Sequence, residues 1–193
     1  MGKAVLRVGL WLLLPVSLLA QTNGTPKGEM YTGYSFVRIE GSNLHGWNLS
    51  PVGNVNQHLG IVADFAGHYN SESATVGAAE SSSNLTLHSA MAGLRVSDRS
   101  LGGLIPFAHS LFGMTRVNAE VTVNQPGIPT SSDSNDVTGF STALGGGLDI
   151  SMSPGVALRL FQADYLLIRS DGFKHEGVRV STGLVWRFGQ RSD

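Results

Sequence analysis

The chain has 193 residues, enough for one domain and a modest closed sheet. Charged residues make up 14% of it, against roughly 25% in ordinary soluble domains, so much of the outer surface is expected to face something other than water. Cysteine is absent, which excludes disulfides, thiolate metal ligands, a thiol nucleophile and a Cys-linked lipid anchor, and the slightly acidic balance offers no basic patch for nucleic acid.

The first element reads as an export signal over residues 1–20. Lys3 and Arg7 supply the positive start, Val8 to Leu19 the apolar run, and Ala20 a small residue for cleavage before Gln21. That run is about twelve residues long and broken by Pro15, whereas a spanning helix needs roughly 20. Without Lys3 and Arg7 the remaining 21–193 carries 11 basic against 14 acidic residues. No later apolar run approaches helical spanning length. If this part enters a membrane, it must do so as a closed barrel, because only helices and barrels satisfy every backbone group in lipid.

From there on the sequence alternates with period two instead of repeating with a helical period. Eight strands are predicted, at about 29–40, 44–53, 58–69, 83–97, 104–118, 136–152, 156–170 and 176–188. The third sets Leu59, Ile61, Ala63, Phe65 and Tyr69 against His58, Gly60, Val62, Asp64, Ala66 and His68. The sixth sets Phe140, Leu144, Leu148 and Ile150 against Ser141, Ala143, Gly145, Gly147 and Asp149. The eighth sets Val178, Val180, Leu184, Trp186 and Phe188 against Gly177, Arg179, Ser181, Gly183 and Arg187. Small residues dominate each polar face. They suit the interior of a narrow barrel, which has room for little beyond its own side chains; the apolar faces then point outward to lipid. The fifth strand and the stretch Leu158 to Ile168 carry apolar residues on both faces, which a β-bulge or an apolar plug in the lumen would explain.

The connections alternate in character. Those at 54–57, 98–103 and 153–155 are tight, whereas 70–82 and 119–135 are long and rich in Ser, Thr, Asn, Gly and Pro. The 119–135 segment reads as a mobile, low-complexity loop, a solvated spacer in preference to an adhesive or ligand-contacting surface loop. The shorter links 41–43 and 171–175 fall in the same set as the long ones. Short turns on the periplasmic side and longer loops outside are the habit of bacterial outer-membrane barrels.

On Gly33-Tyr34-Ser35-Phe36, Pro106-Phe107-Ala108-His109, Asp164-Tyr165 and the closing Val178 to Phe188 (VRVSTGLVWRF), the chain resembles the OmpA-type small outer-membrane β-barrel family over residues 27–190. The resemblance implies an all-β fold, an eight-stranded antiparallel up-and-down barrel, and a last strand read by the barrel-assembly machinery. Phe188 is followed here by five further residues, so recognition from an internal position is expected. The peptidoglycan-binding domain of larger members is not expected in this chain.

Six histidines invite a metal or catalytic reading, yet no His-x-His or His-Glu-x-x-His spacing occurs. His88-Ser89 and His109-Ser110 cannot form dyads by themselves, since neighbours on a strand face opposite ways. Cross-strand pairing of His88 with His109 stays open, beside packing in the lumen or at an interface. The stronger candidates are lumen charges: Asp64, Asp149, Arg179 and Arg187 on clean inward faces, with Arg95 and Asp164 joining them. Acids and bases in one narrow tube should pair, because a lone buried charge is costly; a permanent plug is preferred to a switchable gate. Tyr69 and Phe140 toward the outer end, with Trp186 and Phe188 toward the periplasmic end, suit aromatic belts at the membrane interfaces. No cofactor or catalytic residue is expected.

The leading expectation is therefore an exported outer-membrane barrel with a structural or surface-interaction role and slight permeability at most. Outer-membrane lipid and the assembly machinery would be its partners. A lipid-modifying enzyme and a soluble lipocalin-like carrier are the alternatives. On fractionation the protein should stay with carbonate-washed outer membranes and shift its gel mobility on boiling; release into the soluble fraction would favour the carrier.

Overall fold

The structure, a computed structural model, describes residues 24–76, 79–125, 128–170 and 173–190; the export signal expected at 1–20 lies outside them. Eight antiparallel strands close into a barrel: β1 (Pro26–Ile39), β2 (Ser42–Asn54), β3 (Leu59–Val76), β4 (Ala79–Ser97), β5 (Leu104–Gln125), β6 (Ile128–Ser153), β7 (Val156–Ser170) and β8 (Phe173–Gln190). Each strand pairs with the next, and β8 returns to β1 from Pro26↔Gln190 at one end to Ile39↔Gly177 at the other. Closure gives every strand two partners across this zone, the condition for placing a sheet in lipid. The link between β1 and β2 is a two-residue turn, Glu40-Gly41, with both residues at positive φ (49° and 86°). That is the backbone sign a tight hairpin needs to match the strand twist.

The described residues of the segments 70–82 and 119–135 are strand, contrary to the sequence expectation of loops. The β3–β4 ladder runs on from Tyr69↔Thr86 to Val76↔Ala79. The β5–β6 ladder continues through Asn118↔Asp136 to Val123↔Ser131, and after a register shift to Gln125↔Ile128. Alternating Val117, Val121 and Val123 and the β-branched Thr122 favour extended backbone. The Ser and Asn that suggested a loop mark contact with water. A strand needs only about 9–11 residues to cross the hydrocarbon, and β6 has 26.

The faces divide as the alternation requires. Phe140, Val180 and Leu184 are 55%, 43% and 39% exposed on the outer wall, with Leu148 half-buried on the same side. Asp64, Asp149, Asp164 and Arg179 are sealed inside. The mixed stretch in β7 contains a bulge. Arg159 faces Gly183 and Gln162 faces Ser181, so Leu160 and Phe161 together oppose only Thr182 and both point outward. The extra residue reverses the parity of the strand. Ala157 and Arg159 face the lumen before it, and Gln162, Asp164, Leu166 and Ile168 after it. In β5 the second apolar face belongs to the lumen itself: Ile105, Phe107 and Leu111 are buried there.

The lumen is layered. Toward the long-hairpin end Val37, Ile39, Leu44, Leu87, Leu166 and Ile168 form an apolar layer that Leu111, Met91 and Ala143 continue inward. Toward the termini the interior is charged. Small residues on β6 make room for large ones beside them: a Cβ on Gly145 would lie 2.1 Å from Asp164 Oδ1, and one on Gly147 would lie 2.9 Å from the Phe107 ring. Gly145→Val should therefore lower unfolding stability in lipid vesicles by ~1–3 kcal/mol, the usual cost of overpacking. Gly53→Val, where a Cβ meets nothing within 4 Å, should leave stability almost unchanged. Equal urea midpoints for the two variants would show that lumen space does not limit this barrel.

Candidate functional site

Every strand sends at least one polar side chain into the terminal half of the lumen, and these groups join into one chain of charge-assisted bonds. At the mouth Glu29 of β1 accepts from Arg99 Nη2 at 2.9 Å and from Arg95 Nη1 at 3.0 Å. Arg95 of β4 reaches on to Asp149 of β6, with Nη2 3.0 Å from Oδ2. Asp149 also accepts from Arg159 of β7, at 2.8 Å from Nε and 3.1 Å from Nη2. The Arg159 guanidinium donates to Gln162 Oε1, whose amide donates onward to Asp164 Oδ2 at 2.7 Å. Arg179 of β8 bridges the last two acids, with Nε 2.8 Å from Asp164 Oδ2 and Nη1 2.7 Å from Asp64 Oδ1. Asn48 and Ser50 of β2 complete the shell of Asp64, and His109 Nε2 of β5 stands 2.7 Å from Asp164 Oδ1.

Burial makes this arrangement strict. Glu29, Asp64, Asp149, Asp164, Arg95, Arg159 and Arg179 are all buried, and an unpaired charge there would cost several kcal/mol. Aromatic faces take up part of the positive charge. The Phe107 ring lies between Arg95 and Arg159, at 4.2 and 4.3 Å from the guanidinium carbons, and the Tyr31 ring is 4.1 Å from Arg159. Above the network His68 Nε2 meets Ser35 Oγ at 2.8 Å, and Ser35 meets Ser181 at 2.9 Å. A small cavity under the apolar layer is lined by His68, Ser89, Thr115, Ser141, Leu166 and Arg179.

The six charges singled out from the sequence fall as follows. Asp64, Arg95, Asp149, Asp164 and Arg179 lie in the chain just described. Arg187 lies at its mouth, donating to Ser151 Oγ at 2.8 Å with its Nε 3.7 Å from Glu29. Sequence reasoning missed Glu29, Arg159, Gln162 and the mouth residue Arg99. Arg99 is set by a turn in which Ser100 N and Oγ both donate to Asp98. The backbone bond first, and then the hydroxyl, hold that carboxyl below its usual range. For Arg159 a signal existed, the adjacent apolar pair Leu160-Phe161, which marks the parity change.

His88 and His109 do not meet. His109 is inside opposite Arg95, whereas His88 is outside opposite Arg116, bonded to Tyr69 Oη at 3.1 Å. Among the described residues no group of three His, Asp or Glu is placed to hold a metal. Tyr69, Phe140 and Phe188 are exposed on the outer wall, at 44%, 55% and 57%. Trp186 is half-buried on that wall opposite Met30. Tyr69 and Phe140 lie toward the long-hairpin end, Trp186 and Phe188 toward the termini.

The family model described as outer membrane protein beta-barrel domain matches residues 8–188. Ail, the attachment invasion locus protein of Yersinia pestis, superposes with a TM-score of 0.56 at 21% identity, over 84% of this chain and 99% of Ail. It has also been solved with the heparin analogue sucrose octasulfate. Neisserial surface protein A gives 0.53 at 14% identity, over 83% of this chain and 96% of its own. A major outer membrane protein from Thermus thermophilus gives 0.50 at 10%, over 83% and 99%. These likenesses concern the fold. No curated protein sequence matches the chain.

Arg179→Met should leave Asp64 and Asp164 without their shared cation and cost ~3–5 kcal/mol of unfolding free energy in vesicles. Adding Asp64→Asn and Asp164→Asn should restore part of that loss, because the stranded charges go with their partner. A single variant as stable as the parent, or a triple variant no better than the single, would rule out a coupled network.

Proposed function

Because the chain belongs to the outer membrane protein beta-barrel domain family, we propose that it is a residue-filled barrel whose role is structural and at the cell surface, with slight solute passage at most. One observation carries this reading: the lumen is blocked twice in series. The charge network fills its terminal half and the apolar layer fills the rest, so a hydrated ion meets fixed charges and then a dry constriction. The network acts as a permanent plug, since each of its buried acids is held by at least one arginine from another strand. The role is non-enzymatic.

The export signal at 1–20 is removed on the way out. The termini and the short turns face the periplasm, and the long hairpins face outward. Tyr69, Phe140, Trp186 and Phe188 sit at the two lipid interfaces, and β8, which closes the barrel on β1, carries the signal read by the assembly machinery. The surface ligand is held by the paired extension of β5 and β6, through the described residues of 119–135. Ail binds a polyanionic heparin analogue; the acidic extension of this chain supports a ligand of the opposite charge.

Purified protein in planar bilayers should give no steady conductance above the bare membrane over hours, with brief openings at most. Large, stable single-channel steps from the parent protein would overturn the filled-lumen reading. Arg179→Ala serves as the comparison, since removing one of the three buried plug arginines should raise the frequency of openings.

A further inference from the structure

The charges inside the terminal half of the lumen do not sum to zero. Among the described residues, Lys27, Arg95, Arg99, Arg159, Arg179 and Arg187 face it against Glu29, Asp64, Asp149 and Asp164, an excess of two positive charges with the histidines neutral. The excess is not spread evenly. Deep in the lumen Arg159 and Arg179, helped by Gln162, Asn48 and Ser50, satisfy Asp64, Asp149 and Asp164. At the mouth one carboxylate serves three guanidiniums. Glu29 Oε2 accepts from Arg95 at 3.0 Å, while Oε1 accepts from Arg99 at 2.9 Å and lies 3.7 Å from Arg187 Nε. Lys27, two residues before Glu29 on the same face of β1, is exposed at that mouth. Asp98 in the adjoining turn is engaged by Ser100 N and Oγ.

The donors show the same shortage of acceptors. The Nε atoms of Arg95, Arg99 and Arg187 are buried and have no hydrogen-bond partner, although buried donors are nearly always paired. Three such groups around one shared carboxylate are what a second acceptor would satisfy. The side chains are also held in place without it. Arg99 donates to Gln57 O at 2.7 Å, Arg187 to Ser151 Oγ at 2.8 Å and Arg95 to Asp149 at 3.0 Å. A ligand therefore meets guanidiniums that are already ordered, which lowers the entropy lost on binding. Arg99 and Arg187 keep 14% and 8% of their side chains open to solvent, whereas Arg95 keeps 2%, so the approach is from the mouth, past the first two.

We propose that this mouth is a binding site for one small dianion of the phosphate type, inorganic phosphate or a phosphate monoester, held by Arg99, Arg187 and Lys27 with Arg95 behind them. The charge count selects the class: a dianion brings the terminal half to neutrality, whereas a monoanion leaves it positive. Tetrahedral oxygens accept N–H groups arriving from several sides, and guanidinium geometry matches them. A lipid headgroup offers the same oxygens, but these residues stand inside the tube and not on its lipid-facing wall, so the source is the solution. In the orientation proposed above that solution is the periplasm. The site is independent of the surface role.

The test uses the folded full chain in phosphatidylcholine nanodiscs and calorimetric titration with inorganic phosphate at fixed ionic strength, at about pH 8, where phosphate is mostly dianionic. A saturable one-to-one isotherm is expected, with nitrate binding at least tenfold more weakly. Arg99→Gln and Arg187→Gln should each weaken phosphate at least tenfold, since each removes charge-assisted bonds. Lys174→Gln, the same loss of charge at the opposite end, should change nothing. Glu29→Gln should tighten binding at least threefold by releasing its three cations, a gain that poor folding cannot imitate. No saturable binding, equal affinity for nitrate, or folded arginine variants that bind like the parent would each overturn the site. Should the arginine variants fail to fold, the Glu29 variant decides: unchanged or weaker phosphate affinity overturns the proposal. Phosphatidic acid in the nanodisc should leave phosphate affinity equal to that with the same share of phosphatidylglycerol. Loss of phosphate binding with phosphatidic acid alone would make a lipid headgroup the occupant and overturn the solution source.

Discussion

Four carboxylates and three guanidiniums are buried together in one lumen, and much of the barrel follows from pairing those charges. Each acid lies on a different strand from its arginine, so the bonds tie the wall across its diameter as well as along the ladder. Arg179 alone links β8 to β3 and β7. The glycines of β6 follow from the same constraint: Gly145 and Gly147 leave the space that Asp164 and Phe107 occupy. So does the bulge in β7. Without its extra residue, Arg159 and Asp164 would face opposite sides of the wall, and one of them would be a bare charge in lipid.

The apolar layer has a different physical basis. It costs nothing in unpaired charge and needs no geometry beyond close packing, so it can be assembled from Val, Leu and Ile of several strands. In sequence, however, it looks like the lipid-facing side. That is why β5 and β7 read as ambiguous while β3, β6 and β8 were clear. Alternation reveals faces only where the two sides differ in polarity. Tyr31, Val37, Ile39 and Leu44 are lumen residues that hide this difference in β1 and β2, and Glu29 was missed among them. Asp64, Asp149 and Arg179 were legible because their strands keep mostly small or polar residues on the inner face, with Val62 and Val185 the exceptions.

The strand ends were misread for a related reason. Above the rim both sides of the sheet are wet, so selection for an apolar outer face stops and Ser, Thr and Asn take over. Composition then resembles a loop although the backbone goes on pairing. The β-branched Val121 and Val123, in step with Val117 before them, were the available evidence, and they lay inside a segment judged by its polar residues. Local composition reports the solvent; spacing of the branched residues reports the backbone.

The strand lengths also give the outer end a lopsided skyline. β1 and β2 turn at Glu40-Gly41 and β7 ends at Ser170, while β3 to β6 climb well beyond. In the orientation proposed above, with the long hairpins outward, the low half of the rim lies close to the membrane and the tall half stands clear of it. A large visitor would then reach the described ends of β3 to β6 before the rest of the rim, so that contact from outside would fall on one flank of the molecule.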